Sequence, residues 1–325
     1  MNVLSTLPLL SHLVLQCRLP IAPSETFQPE ADTAHLALPR LATMHIYDRA
    51  PICLYFLQHL DIPPTATVTA ILSRFRREQI PELTSWLVAK VSAESIANVP
   101  MPSALLIGDG SFGIMRGPIG DRDRILRRWD EGSALGIRVS EEGIGRSTEP
   151  VLTWFLRDAL PQIGHWTNSI TMLDISGVSC FEYGLGSFKP EREALWKSVL
   201  RSMPHITKVI MSIDIRLPAL LAEPIEHHSS SGSGTLTPRY MLPNLVAVSL
   251  ETYPFVTEPK TEVTRLMTSL LDWRDALQTR KEAGCADISM VLAYCSNVAE
   301  EHLAMLQEVA EVKQIKRPGP GHGEQ

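Results

Sequence analysis

Gly108-Asp109-Gly110-Ser111-Phe112-Gly113 carries the glycine spacing of a dinucleotide-binding turn. In that chemistry the third glycine opens a helix whose first backbone amides hold a pyrophosphate. Here Gly117, Pro118 and Gly120 follow at once, so no helix can start, and a tight turn between two strands is expected. His227 and His228 are adjacent, and neighbouring side chains do not converge on a metal as histidines four apart on a helix do. Asp174 lies within an expected strand, Ile170–Val178, and Ser179 and Cys180 follow the strand end. A doubly wound α/β enzyme keeps catalytic groups at such strand ends. Gly177-Val178-Ser179-Cys180-Phe181, however, lacks the second glycine of a nucleophile elbow, so Asp174 is expected to be a turn residue. Arg122, Arg124, Arg127, Arg128 and Trp129 are residue types that dominate protein interfaces. Asp121, Asp123, Asp130 and Glu131 interleave with them, and a solvated helical face with internal ion pairs is expected. No catalytic, cofactor-binding or metal-ligating residue is assigned, and no cofactor is implied.

The five cysteines, Cys17, Cys53, Cys180, Cys285 and Cys295, are widely spread, and no pair has zinc-knuckle or redox-dithiol spacing. That usage suits a reducing cytoplasm or nucleus, with each thiol acting as a small buried apolar group.

The elements that would position these groups repeat one pattern. An apolar residue, Pro, any residue and an apolar residue precede two spacers and then alternating apolar positions. Leu7-Pro8-Leu9-Leu10 leads to Leu13 and Leu15, and Leu38-Pro39-Arg40-Leu41 to Met44 and Ile46. Met203-Pro204-His205-Ile206 leads to Val209 and Met211, and Leu242-Pro243-Asn244-Leu245 to Val248 and Leu250. A weaker copy begins at Leu160-Pro161-Gln162-Ile163, where the polar insertion Gly164 to Ser169 delays the strand. Each copy reads as a helix end stopped by proline, then a strand with every second side chain facing a core. One such unit cannot bury its apolar face alone and must stack on neighbours. The expected fold is therefore α/β, a leucine-rich-repeat-like solenoid of irregular helix–strand units with a curved parallel sheet.

Helices are expected over Pro51–Leu60, Glu149–Leu160, Glu191–Met203 and Thr261–Ala283, the last stopped by Gly284. A short final helix is expected to open at Asn297 and Glu300. Ala104–Ile107, Phe112–Met115 and Leu135–Val139 read as strands of an irregular section over 104–140. The solenoid is expected over 1–312, with a flexible Ser/Gly-rich loop at 227–238 and a disordered polar tail at 313–325.

At 325 residues, 44% of them hydrophobic and 20% charged, global disorder is excluded. A formal charge of -6 gives no general attraction to nucleic acid or an anionic membrane. No stretch approaches the roughly 20 apolar residues of a membrane-spanning helix. The apolar N-terminus, Val3 to Leu15, lacks a preceding basic stretch and a small-x-small cleavage site, and fits the repeat better than a signal peptide.

Leu38 to Val68, "LPNLVAVSLETYPF" (Leu242 to Phe255) and "LLDWRDALQTRKEAG" before "DISMVLAYC" together resemble the C-terminal leucine-rich region of fungal, basidiomycete-type F-box proteins. The resemblance covers the two ends of the chain better than its middle. It implies a protein-binding role, the substrate-recognition part of a Skp–cullin–F-box ubiquitin ligase. A Skp-type linker is implied as a partner only if an F-box stands upstream, because this chain opens directly in a repeat. The expected function is non-enzymatic protein binding. A degenerate doubly wound α/β enzyme is the first alternative, favoured if Asp174, Asp109 and Asp214 converge on one pocket. A truncated repeat fragment, its Leu4, Leu10, Leu13 and Leu15 uncapped, is the second.

Overall fold

The computed structural model describes residues 4, 6–16, 35–108, 111–116, 133–140, 153–177, 190–212, 215–225, 239–253, 255 and 269–316. The chain divides into two compact units, Met1–Ser169 and Ile170–Gln325. Both are mixed α/β with mostly parallel strands.

In the first unit the described elements are β1 (His12–Gln16), β2 (Leu36–Ala37), β3 (Thr43–Arg49), α1 (Ala50–His59), β4 (Leu60–Asp61) and β5 (Thr67–Ser73). They continue with α2 (Ile80–Ile96), β6 (Pro102–Gly108), β7 (Ser111–Arg116), β8 (Ser133–Ser140) and the single turn α3 (Gly164–Thr167). The strand order is β1-β3-β5-β8-β7-β6. β1, β3, β5 and β8 run parallel, whereas β8–β7 and β7–β6 are antiparallel. The sheet is thus not wholly parallel, as the repeat reading expected. Two residues separate β6 from β7, and strands joined so closely return antiparallel, because a parallel return needs a crossover. The ladder aligns Leu13, Met44, Val68, Leu135, Ile114 and Leu105 in one row, each at most 6% exposed. α1 packs on β3 and β5 through Cys53, Leu54 and Leu57.

The second unit follows with β9 (Met172–Gly177), α4 (Pro190–Arg201), β10 (Lys208–Met211) and α5 (Leu217–Ala222). A small pair, β11 (Pro224–Ile225) and β12 (Arg239–Tyr240), precedes β13 (Ala247–Glu251), α6 (Leu270–Glu282), β14 (Ser289–Ala293), α7 (Glu300–Gln307) and β15 (Glu311–Ile315). Here the order β9-β10-β13-β14-β15 follows the chain, and every pair is parallel. Val209, Met211, Val248, Leu250, Met290 and Leu292 are each at most 1% exposed, as their alternation predicts. Residues 313–315, expected to begin a disordered tail, instead end β15, because Glu311–Ile315 alternates exposed and half-buried residues and pairs with β14; residues 317–325 lie outside the described residues.

The segments at Leu7, Leu38, Met203 and Leu242 form turns; the one at Met203 follows the end of α4 as expected, whereas those at Leu38 and Leu242 follow the short strands β2 and β12 instead of helices. Leu10, Leu41, Ile206 and Leu245 each donate a backbone N–H to the carbonyl three residues back, at 3.1, 3.0, 3.3 and 3.1 Å. Proline at the second position of such a turn has its φ preset, and its missing N–H is not needed. Ala66 makes the same bond to Pro63, at 3.0 Å. This copy escapes the sequence template because alanine stands where the others carry a large apolar side chain. Successive turns are tied together. Ala42 N donates to Ser11 O (2.8 Å), Thr67 N to Ala42 O (2.9 Å), Thr207 N to Thr171 O (2.7 Å) and Val246 N to Thr207 O (2.9 Å). Asn244 Nδ2 adds a bond to Pro204 O, at 3.1 Å.

Two buried cations hold these turns from behind. Lys90 of α2 donates to the carbonyls of Pro63, Pro64 and Ala66 at 3.0, 2.9 and 3.3 Å. Glu94, one turn on, pairs with both Lys90 and Arg116. Burial lowers the Lys90 ammonium below its usual range, and Glu94 opposes that shift. Arg280 of α6, 1% exposed, donates from its two terminal nitrogens to Met241 O (2.7 Å) and Leu242 O (3.0 Å).

Three helix expectations change in detail. Ser269, with an extended backbone, caps α6 at Leu270 through a reciprocal box with Asp272, so the helix does not run through 269; residues 261–268 lie outside the described residues. It stops as expected at Gly284, φ +75, with Cys285 N bonded to Arg280 O. The segment Phe155–Ala159 is a wide π turn followed by a 3₁₀ turn, Leu160–Ile163, because Pro161 removes a donor and crowds the preceding turn. α7 begins at Glu300 behind Ala299, which offers no side-chain cap, and Asn297 Nδ2 instead donates to Phe255 O at 3.1 Å.

Candidate functional site

The second unit carries a groove of about 810 Å³ at the carboxyl ends of β13, β14 and β15. Two strand exits form one side. Thr252, directly after β13, and Tyr294, directly after β14, have left-handed backbones, φ +48 and +57. Each is fixed by a bond to the next strand, Thr252 N to Ala293 O and Tyr294 N to Ile315 O, both 2.8 Å. A β-branched or bulky residue in that region is unfavourable, and such strain concentrates at binding sites. Below them Tyr253 and Phe255 are buried, ring centroids 5.0 Å apart. The facing wall is α7, through Glu300, Leu303 and Gln307, and β15 contributes Gln314 and Ile315.

The lining mixes apolar surface with amides. Tyr294 is 45% exposed and Ile315 36%. Asn297, Gln307 and Gln314 offer paired donors and acceptors, with Glu300 and Lys316 as the charged members. Cys295 also lines the groove, but burial pushes its thiol up to about 11, and its Sγ donates to Leu250 O at 3.3 Å. It therefore stays a protonated thiol at neutral pH, and the thiolate is the nucleophilic form. The arrangement suits recognition of a surface with an apolar centre and a polar surround.

Several sequence candidates can now be placed. Gly108 and Ser111 are partners in the antiparallel β6–β7 pair, and Phe112 and Gly113 continue a strand, so the glycine motif is followed by no helix. Asp109 and Gly110 lie outside the described residues. Asp174 is not a turn residue: it is 3% exposed within β9, opposite Ile210 of β10, and its Oδ1 accepts from Ser176 N (2.9 Å) and Ser176 Oγ (2.6 Å). Asp214, the His227–His228 pair, Arg122 to Trp129, Ser179, Cys180 and Cys17 lie outside the described residues. Cys53 is buried, whereas Cys285 and Cys295 are only half-buried, so not every cysteine is a core residue. Among the described residues no group of three or more His, Cys, Asp or Glu side chains could hold a metal ion, and no helix is long and apolar enough to cross a membrane.

Tyr294 and Ile315 were not singled out from the sequence, and Asn297 reads there as a helix start rather than as a groove residue. A signal was present: Tyr294-Cys295-Ser296-Asn297 directly follows an alternating strand, where parallel sheets carry their sites. Comparison of the chain with family models, with curated proteins and with solved structures finds no match in any of the three.

Proposed function

We propose that this chain is a non-enzymatic protein-recognition module, a leucine-rich-repeat-like solenoid whose second unit binds a partner through the Tyr294 groove. The observation that carries the reading is the groove itself. An exposed tyrosine is held in a strained strand exit beside Ile315 and Leu303, within a surround of amides. Aromatic anchors in such settings supply much of an interface's binding energy. The bonds between successive turns support stacked repeats. The resemblance to F-box proteins suggests the partner's role, a substrate presented to a Skp–cullin–F-box ligase in the cytoplasm or nucleus.

The test is affinity capture from an extract by the wild-type chain and by Tyr294→Ala and Leu303→Asp variants of equal thermal stability, with direct binding to a Skp-type linker as a second arm. Proteins held by the wild type and lost at least tenfold from both variants support the reading. Equal recovery by all three chains refutes it. Linker binding that appears only when an F-box is fused ahead of the chain supports the ligase role.

A second reading rests on strand order. β8 lies beside β5 although β6 and β7 intervene in the chain, and order reversals are where open α/β sheets hold ligands. A degenerate α/β enzyme would replace the first reading if the purified chain turned over a substrate and a correctly folded Ser73→Ala variant, altered where β5 and β8 end side by side, did not.

A further inference from the structure

The outer face of the first unit is the opposite of its core in composition. Because side chains alternate, the residues opposite the apolar rows form rows of their own. Gln16, Tyr47, Ile71 and Arg138 stand side by side across β1, β3, β5 and β8. In the next row Val14, His45 and Thr69 are neighbours, and His12 pairs with Thr43 beyond them. This side is open: Val14 is 69% exposed, His12, Gln16 and Arg138 are exposed, and His45, Tyr47 and Ile71 are half-exposed.

Two observations point to a ligand. Among the described residues no carboxylate occupies an outward position on these four strands, in a chain whose formal charge is -6. The nearest acid on them, Asp48, faces inward and is 8% exposed. Independently, Thr69 stands on this face only 7% exposed, and its hydroxyl meets no hydrogen-bond partner. Buried hydroxyls are nearly always paired, so this one is a latent polar contact beneath His45.

We propose that this face binds an extended, acidic protein segment with one large apolar side chain. The apolar side chain lies over Tyr47 and Ile71. A flanking carboxylate takes a charge-assisted, bidentate bond from Arg138, and the other end of the segment meets Gln16 and His12. This rests on the protein-recognition reading and names a partner chemistry for a second surface. Single-stranded nucleic acid is the weaker fit, since binding a phosphate backbone draws on several cations at once, and across these three rows the exposed guanidinium is that of Arg138.

The experiment is fluorescence anisotropy with the full chain and a labelled nonapeptide of glutamate and serine around a central phenylalanine. A lysine-for-glutamate nonapeptide and a twelve-residue oligo-dT serve as comparison probes. Expected are saturable binding of the acidic peptide at low salt, at least tenfold weaker binding to Tyr47→Ala and Arg138→Glu, and unchanged binding to Tyr294→Ala. Arg138→Glu should in turn gain the lysine peptide, a reversal that mere loss of structure does not produce. The proposal is overturned if the wild type does not bind the acidic peptide, if all variants bind it equally, or if oligo-dT binds more tightly. Each of these results leaves the Tyr294 capture experiment standing, so the two failures can be told apart.

Discussion

Lys90 and Arg280 do the same job in the two units with different chemistry. Each sits on the helix that follows a strand and reaches back to the turn that precedes it. Lys90 is a compact charge that gathers three carbonyls of the Pro63–Ala66 turn and brings Glu94 and Arg116 with it. Arg280 is a planar fork that spans two consecutive carbonyls, of Met241 and Leu242. The difference shows what each turn offers. A point charge suits oxygens converging on one spot, and a fork suits oxygens set side by side. One turn in each unit is therefore held by a buried cation behind it as well as by its apolar positions.

Removing the lysine anchor should do the most damage. Lys90→Met leaves three carbonyls without their donor and shifts the charge balance around Glu94, an expected loss of about 3–4 kcal/mol in urea unfolding. Arg280→Met orphans two carbonyls and, among the described residues, breaks no ion pair, so about 2–3 kcal/mol is expected. A larger loss for Arg280→Met than for Lys90→Met would contradict the ranking. Arg280→Lys sharpens the contrast. If fork geometry matters, it recovers less than half of the Arg280→Met loss, and full recovery would show that charge alone suffices.

The second unit should also respond to pH where Lys90 predicts the opposite. Cys295 has a folded pKa of about 11 against an ordinary value of 9.0. The folded chain then holds its proton more tightly than the unfolded chain. The stability this confers is complete below pH 9 and lost as pH rises toward 11. Lys90, its pKa lowered by burial, gives stability that rises with pH just below 10.5. Urea midpoints between pH 8 and 11 should therefore fall less steeply in Cys295→Ala and more steeply in Lys90→Met than in the wild type. The smallest effect belongs to the strand exits. Thr252→Gly relieves a left-handed β-branched residue and should stabilise the chain by about 0.5–1 kcal/mol. A loss of stability there would mean that the threonine hydroxyl bond to Glu251 O, at 2.7 Å, outweighs the strain.

Leu13, Met44, Val209, Leu250 and Met290 were legible as core from their alternation, because burial on one sheet face leaves a period of two in the sequence. The turn prolines and the Gly284 stop were legible for a similar reason: each depends on neighbours within a few residues. The copy at Pro63 was missed, since alanine can fill a small site that the template reserves for leucine. The reach of Lys90 across 27 positions to Pro63 leaves no local trace, and neither does the reach of Arg280 across 38 to Leu242.

The sequence by itself determined the α/β class, most of the strands and which face of each is apolar. Those follow from local backbone preference and side-chain period. Only the tertiary structure decided that β8 returns beside β5, that Glu311–Ile315 joins the sheet, and that Tyr294 shares a groove with Ile315 and Leu303. Such outcomes depend on which segments meet in space, set by the burial and hydrogen-bond pairing of residues far apart in the chain.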